Sequence, residues 1–248
     1  MRWIHKISNW FVGIGILVYL VFALSFTESR MDGQKVSGIS VEIKNLDEVD
    51  FVGREEVIQT LKDYRVRITN EPIDSINKAY VKERVMDIPQ VRNVEVFFTP
   101  DGLFHIKIWQ RIPVMRVITD KLSYYLDREG EILPVSSRFS ARVPVFTGNI
   151  EMNKINEGLF ELASYLNSDP FWDAQIDQVQ VWSLRNIELV PRIGDHKIFI
   201  GDSEGLEWKF RKLRALYETA LPVVGWNCYE SIDLRFGDQV VCKRKSEL

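Results

Sequence analysis

Side chains with ligating or catalytic chemistry are few and scattered here. The three histidines, His5, His105 and His196, lie far apart, and the only thiols are Cys228 and Cys242. A structural or catalytic zinc site needs three or four such ligands at short, defined spacings, so neither metal nor other cofactor is expected. No H-E-x-x-H, G-x-S-x-G, P-loop or post-strand G-x-G-x-x-G occurs. Gly13-Ile14-Gly15 sits in an apolar run, where it reads as packing. Carboxylates are plentiful, but Glu129 and Glu131 flank a turn glycine, and Asp195-His196 reads as a turn between strands. His105 alternates with Phe104 and Ile106, which places it opposite the core face. No catalytic residue is predicted. A sugar-cleaving carboxylate pair acting on peptidoglycan stays open as a less favoured alternative.

Composition narrows the classes further. The chain has 248 residues, 46% hydrophobic and 27% charged, with a net charge of −3. That balance suits globular domains and carries no basic excess for nucleic acid. Two cysteines exclude a disulfide-dense scaffold. One segment stands apart: residues 7–26 (ISNWFVGIGILVYLVFALSF) carry no charge. At ~1.5 Å per residue they span roughly 30 Å, the thickness of a hydrocarbon core. Arg2, His5 and Lys6 precede the run and Glu28, Arg30 and Asp32 follow it, so positive-inside logic predicts residues 1–6 in the cytoplasm and the rest exported. Ala23-Leu24-Ser25 also has the look of a signal-peptide cleavage site. The run exceeds the usual ~7–15-residue signal core, which favours a retained anchor.

The exported part begins with a polar tether, 27–36. Alternation over Ile39 to Ile43 predicts a strand, and Gly53 to Lys62 a helix with Val57, Ile58 and Leu61 on one face. A second helix is predicted from Asp74 or Ser75 to Pro89. Val94–Thr99 and Leu103–Trp109 then form a hairpin about Pro100-Asp101-Gly102. The order strand, helix, helix, strand, strand within residues 37–110 resembles a POTRA domain.

Residues 111–248 read as strand-rich. A hairpin spans Tyr124–Pro134, and Val143–Gly148 is extended. A helix capped by Asn153 or Asn156 runs to Asn167. Ile176–Val181, Ile187–Val190 and Lys197–Gly201 are strands. Leu206 to Ala220 is an amphipathic helix closed by Pro222. The chain ends in Ser231–Phe236, a Gly237-Asp238 turn and a last strand over 239–244. The expected fold is therefore α+β: one N-terminal transmembrane helix (7–26), a POTRA-like domain (37–110) and a larger mixed-sheet domain with flanking helices (111–248).

Four segments, in order, carry a family resemblance: Gln110-Arg111-Ile112-Pro113-Val114, Tyr125 to Ile132 (YLDREGEI), Val143-Pro144-Val145-Phe146-Thr147-Gly148, and Ile232-Asp233-Leu234-Arg235-Phe236. Behind a single anchor and a POTRA-like domain, they resemble the bacterial cell-division family FtsQ, called DivIB in Gram-positive bacteria. The resemblance implies a non-catalytic divisome scaffold that links early and late division proteins through FtsB- and FtsL-like single-span partners. It takes no nucleic acid and no small-molecule substrate. It also implies strand addition by the FtsB-like partner at the C-terminal sheet edge, which maps onto Phe236, Gly237, Asp238, Gln239, Val240, Val241, Cys242 and Lys243. The family's later aromatic has no counterpart; Cys242, Lys243 and Arg244 stand there. The alternative class is a membrane-anchored POTRA-type module for envelope assembly or transport.

A two-residue turn at Gly237-Asp238 would set Phe236 opposite Gln239 and Cys242 opposite Asp233. Cys228 would then lie roughly 16 Å along the strand from that partner at ~3.3 Å per residue. That is beyond the ~7 Å reach of a disulfide, so free thiols are expected unless a bulge intervenes.

Overall fold

The computed structural model describes residues 14–22, 33–152, 155 and 158–245. Residues 14–22 form a helix, α1. The remainder of the expected span 7–26, like the caps proposed at Asn153 and Asn156, lies outside the described residues. No helix among the described residues is long and apolar enough to cross a membrane. The chain divides into two compact units: one is the chain up to Leu46 with Val52–Gln110, the other Asp47–Phe51 with Arg111–Leu248.

In the first unit, β1 (Gly38–Ile43) is followed by α2 (Arg54–Asp63), a 3₁₀ turn (Ile73–Ser75), α3 (Lys78–Met86), β2 (Val91–Phe98) and β3 (Leu103–Gln110). The sheet order is β1-β3-β2, with β1 parallel and β2 antiparallel to β3. Strict alternation in β3 buries Phe104, Ile106 and Ile108 completely, while His105 stays half-buried on the other face, stacked on Phe97 at 5.0 Å. Each such buried side chain contributes about 1.5–3 kcal/mol. Val57 and Leu61 of α2 and Val81 and Val85 of α3 are the buried residues of their helices. The second helix starts later than the sequence predicts. Asp74 and Ser75 make only the 3₁₀ turn, and the Asn77 side chain caps α3 by accepting from the Tyr80 amide at 3.1 Å.

The second unit holds β4 (Pro113–Ile118), β5 (Ser123–Asp127), β6 (Ile132–Pro134), β7 (Val145–Gly148), α4 (Leu159–Ser168), α5 (Pro170–Gln175), β8 (Ile176–Ser183), β9 (Asn186–Pro191), β10 (Lys197–Gly201), α6 (Leu206–Ala215), a π turn (Leu216–Ala220), α7 (Leu221–Val224), β11 (Tyr229–Asp233) and β12 (Val241–Arg244). The nine strands run in the order β12-β11-β10-β9-β8-β7-β4-β5-β6. The core joins sheet residues such as Phe146, Val179, Leu189, Ile198 and Ile232 to Leu162, Trp172, Phe210, Leu213 and Tyr217 of the helices. Pro222 does not close the helix as the sequence predicts. The π turn resets the hydrogen-bond ladder, so Pro222 falls in the first turn of α7, where its missing N–H costs nothing.

Two of the family-like segments meet in one polar knot. Asp127, 2% exposed, accepts from Arg111 Nη1 at 2.8 Å and from the amides of Glu129 and Glu131 at 2.9 and 2.8 Å. Its carboxylate folds the β5–β6 turn and fixes the start of β4 together. A third segment ends at Gly148 for a steric reason. Its φ is +104°, and a Cβ there would lie 2.3 Å from the Val181 carbonyl oxygen. Gly148→Ala is expected to destabilise the second unit by about 1–3 kcal/mol from backbone strain alone; thermal unfolding monitored by circular dichroism checks this.

Candidate partner-binding edge

The C-terminal segment is built from β11 upward. β11 lies parallel to β10, and the Leu234 amide donates to the Phe199 carbonyl at 2.9 Å. Backbone N–H and C=O groups alternate sides along a strand. Ile232 and Leu234 therefore point at β10, while Ser231 and Asp233 point at β12. β12 answers in register, with Ser231 opposite Lys243 and Asp233 opposite Val241. The Lys245 amide donates to the Cys228 carbonyl at 3.1 Å. Val241, Lys243 and Lys245 thus turn their backbone groups inward. Those of Cys242 and Arg244 face outward from the last strand of the sheet.

The expected turn is not what forms. Ile232, not Asp233, faces Cys242, and β12 starts at Val241 rather than residue 239. Residues Leu234–Val240 make a longer connection in which Gly237 does not adopt the left-handed backbone. Lys212 of α6 reaches this connection. Its Nζ donates to the carbonyls of Phe236 (2.8 Å), Gly237 (2.7 Å) and Gln239 (3.2 Å) and lies 3.5 Å from the centroid of the Trp208 ring. Burial lowers the Lys212 pKa, Asp238 raises it, and Lys209 adds to the lowering.

Of the eight residues singled out by the sequence, Phe236, Gly237, Asp238 and Gln239 are exposed in this connection. Val240 is half-buried against the core, outside the strand. Val241, Cys242 and Lys243 lie in β12; Val241 is 42% exposed and Lys243 pairs with Glu230 at 2.7 Å. Sequence reasoning missed Lys212 and Arg244. Nothing local marks Lys212, because its partners lie 24 to 27 residues away.

Both cysteines are free. A bulge between Tyr229 and Ser231 shifts the register, yet Cys228 still meets Lys245 rather than Cys242. Burial, then the neighbouring Cys228, pushes the Cys242 thiol up, which keeps it protonated and a poor nucleophile at neutral pH. Beside them, burial raises the Asp233 pKa, but hydrogen bonds and charge from Arg235 outweigh it and leave the carboxyl below its usual range.

The far end of the edge is fastened by the β9–β10 loop. Lys245 pairs with Asp195 at 2.6 Å. His196, 1% exposed, sits with Nδ1 3.3 Å from the Trp226 carbonyl and Nε2 2.9 Å from the Tyr217 hydroxyl. A carbonyl only accepts, so Nδ1 carries the proton and Nε2 accepts from Tyr217. Burial depresses the His196 pKa below its ordinary 6.5, more than the Trp226 carbonyl and Asp195 restore it. The unfolded chain therefore takes up a proton first as pH falls through about 6.5. Stability is full above that pH and declines as pH falls toward the folded-state value. His196→Gln is expected to flatten this part of the pH dependence; thermal unfolding midpoints of both proteins between pH 8 and 5 check it.

The last strand of the mixed sheet turns the backbone groups of Cys242 and Arg244 outward beside a loop held by Lys212. Protein families match both parts of the chain. A POTRA-like domain matches residues 34–109. The family described as FtsQ/DivIB, C-terminal related, matches residues 112–243, more than half of the chain. The chain belongs to the FtsQ/DivIB family. Its pair of domains is that of a cell-division scaffold, and domains of these types are typically non-catalytic. A search of curated proteins finds no match.

Proposed function

We propose that this protein is a membrane-anchored, non-catalytic divisome scaffold that receives a strand from an FtsB-like partner along β12, within a complex that includes an FtsL-like protein. Residues 7–26 are the anchor and residues 1–6 the cytoplasmic tail; both domains lie outside the cytoplasmic membrane and work at the septum. The observation that carries the reading is the outward set of N–H and C=O groups at Cys242 and Arg244 on an edge strand. Such a row is a template for an added strand. The opposite edge, β6, has only Ile132–Pro134 and ends in a proline, a poor template. Phe236, 45% exposed, and Val241 flank the row with apolar surface.

Photoreactive residues placed at Phe236 and at Val241 in growing cells test this. Crosslinking to a small single-span coiled-coil division protein, identified by mass spectrometry, is the expected result. Crosslinking to outer-membrane assembly factors, or to nothing, would replace the division reading with an envelope-assembly one and leave β12 as mere closure of the sheet.

A further inference from the structure

We infer that Lys212 is the positioning residue of the binding edge: by holding the carbonyls of Phe236, Gly237 and Gln239 it keeps β12 in place as a template. The inference rests on the strand-addition reading above and names the residue that makes it possible. β12 is only Val241–Arg244 and pairs with β11 alone. Val241, Lys243 and Arg244 are exposed, and Cys242 is only half-buried. An edge strand that short, with little side-chain burial, does not hold itself down. A tight turn would tie it to β11, but the connection Leu234–Val240 is not one; apart from the inward packing of Leu234 and Val240, it lies exposed. Its carbonyls would be left to solvent. Lys212 supplies what the turn lacks. An ammonium has three donors, and here each meets one carbonyl, at 2.7 to 3.2 Å.

The position of Lys212 is itself fixed. Leu213 beside it is fully buried, as is Phe210 two residues before, so α6 cannot rotate. The indole of Trp208 lies under the ammonium as a cation–π partner. With Lys212 donating to three carbonyls of the loop, the connection is tied to α6, and the outward backbone groups of Cys242 and Arg244 follow directly after it, beside the exposed side chains of Phe236 and Asp238. Lys245 with Asp195 pins the other end.

The test compares the full-length wild-type protein with Lys212→Met and Lys212→Arg by amide hydrogen exchange and by crosslinking from Val241. Methionine keeps the stem and removes the donors. Arginine keeps the charge, but its planar fork does not converge on three carbonyls. In Lys212→Met the Val241 and Lys243 amides, which point at β11, are expected to exchange about tenfold faster or more, as a locally opened strand does. Amides of β9 and β10 are expected to keep wild-type protection, which reports an intact fold. Partner crosslinking falls in step, and Lys212→Arg restores neither property fully. Unchanged protection at Val241 and Lys243 in Lys212→Met overturns the clamp without touching the strand-addition reading. Loosened β12 in the variant, with no partner captured even by wild type, upholds the clamp and removes that reading instead.

Discussion

Cys242→Pro is expected to abolish partner capture at the terminal edge while leaving the domain folded. The register is the reason. The Cys242 amide points away from β11, so proline there removes no bond of the native ladder. It does remove a donor that an added strand would use, worth about 0.5–1.5 kcal/mol, and its ring projects into the space that strand would occupy. Together these should weaken association by at least about tenfold, since each 1.4 kcal/mol is a decade. Val241→Pro is the control. It deletes an inward bond to Asp233 and should loosen β12 itself. Binding measured by titration calorimetry, with thermal unfolding of each variant alongside, separates the two. Equal binding by Cys242→Pro and wild type would place the partner elsewhere.

Asp127→Ala is expected to cost the second unit about 3–5 kcal/mol, because it strands a partly buried Arg111 and two turn amides together. The side chain of Asp127 is 3% exposed and that of Arg111 19%. Glu129, 3.2 Å from Arg111, relieves only part of the loss, since its side chain is 41% exposed. Chemical denaturation of wild type and variant gives the difference directly, and a change under 1 kcal/mol would show that the knot is decorative. Arg111→Ala should give a smaller loss, because the two amide bonds to Asp127 survive.

The β2–β3 hairpin of the first unit was legible in the sequence because the residues of β3 alternate cleanly. Phe104, Ile106 and Ile108 announce a half-buried strand, and Asp101-Gly102 announces its turn. β4 was not legible. Pro113, Val114 and Met115 are all buried, and a bulge between Pro113 and Met115 breaks the alternation. α5 was missed although its signal was present: Asp169 caps Pro170 at the first position and accepts from the Phe171 amide at 3.0 Å. The location of the candidate edge was readable as the last strand of the chain. Its register was not. Gly237-Asp238 looks like a hairpin turn, but the connection runs from Leu234 to Val240, and its carbonyls meet a lysine far back in the chain. Periodicity sees only neighbours in sequence, so contacts of that range leave no mark. His196 shows the same limit: Asp195-His196 reads as a turn, and its burial against Tyr217 and Trp226 comes from the fold.

The most direct measurement of the central claim is amide hydrogen exchange of the protein, alone and with the partner identified by crosslinking. Strand addition predicts that the Cys242 and Arg244 amides, which face outward from β12, exchange fast in the isolated protein and become protected in the complex, with little change at Val241 and Lys243, already bonded to β11. Protection confined to other surfaces, with Cys242 and Arg244 still exchanging freely, would contradict it.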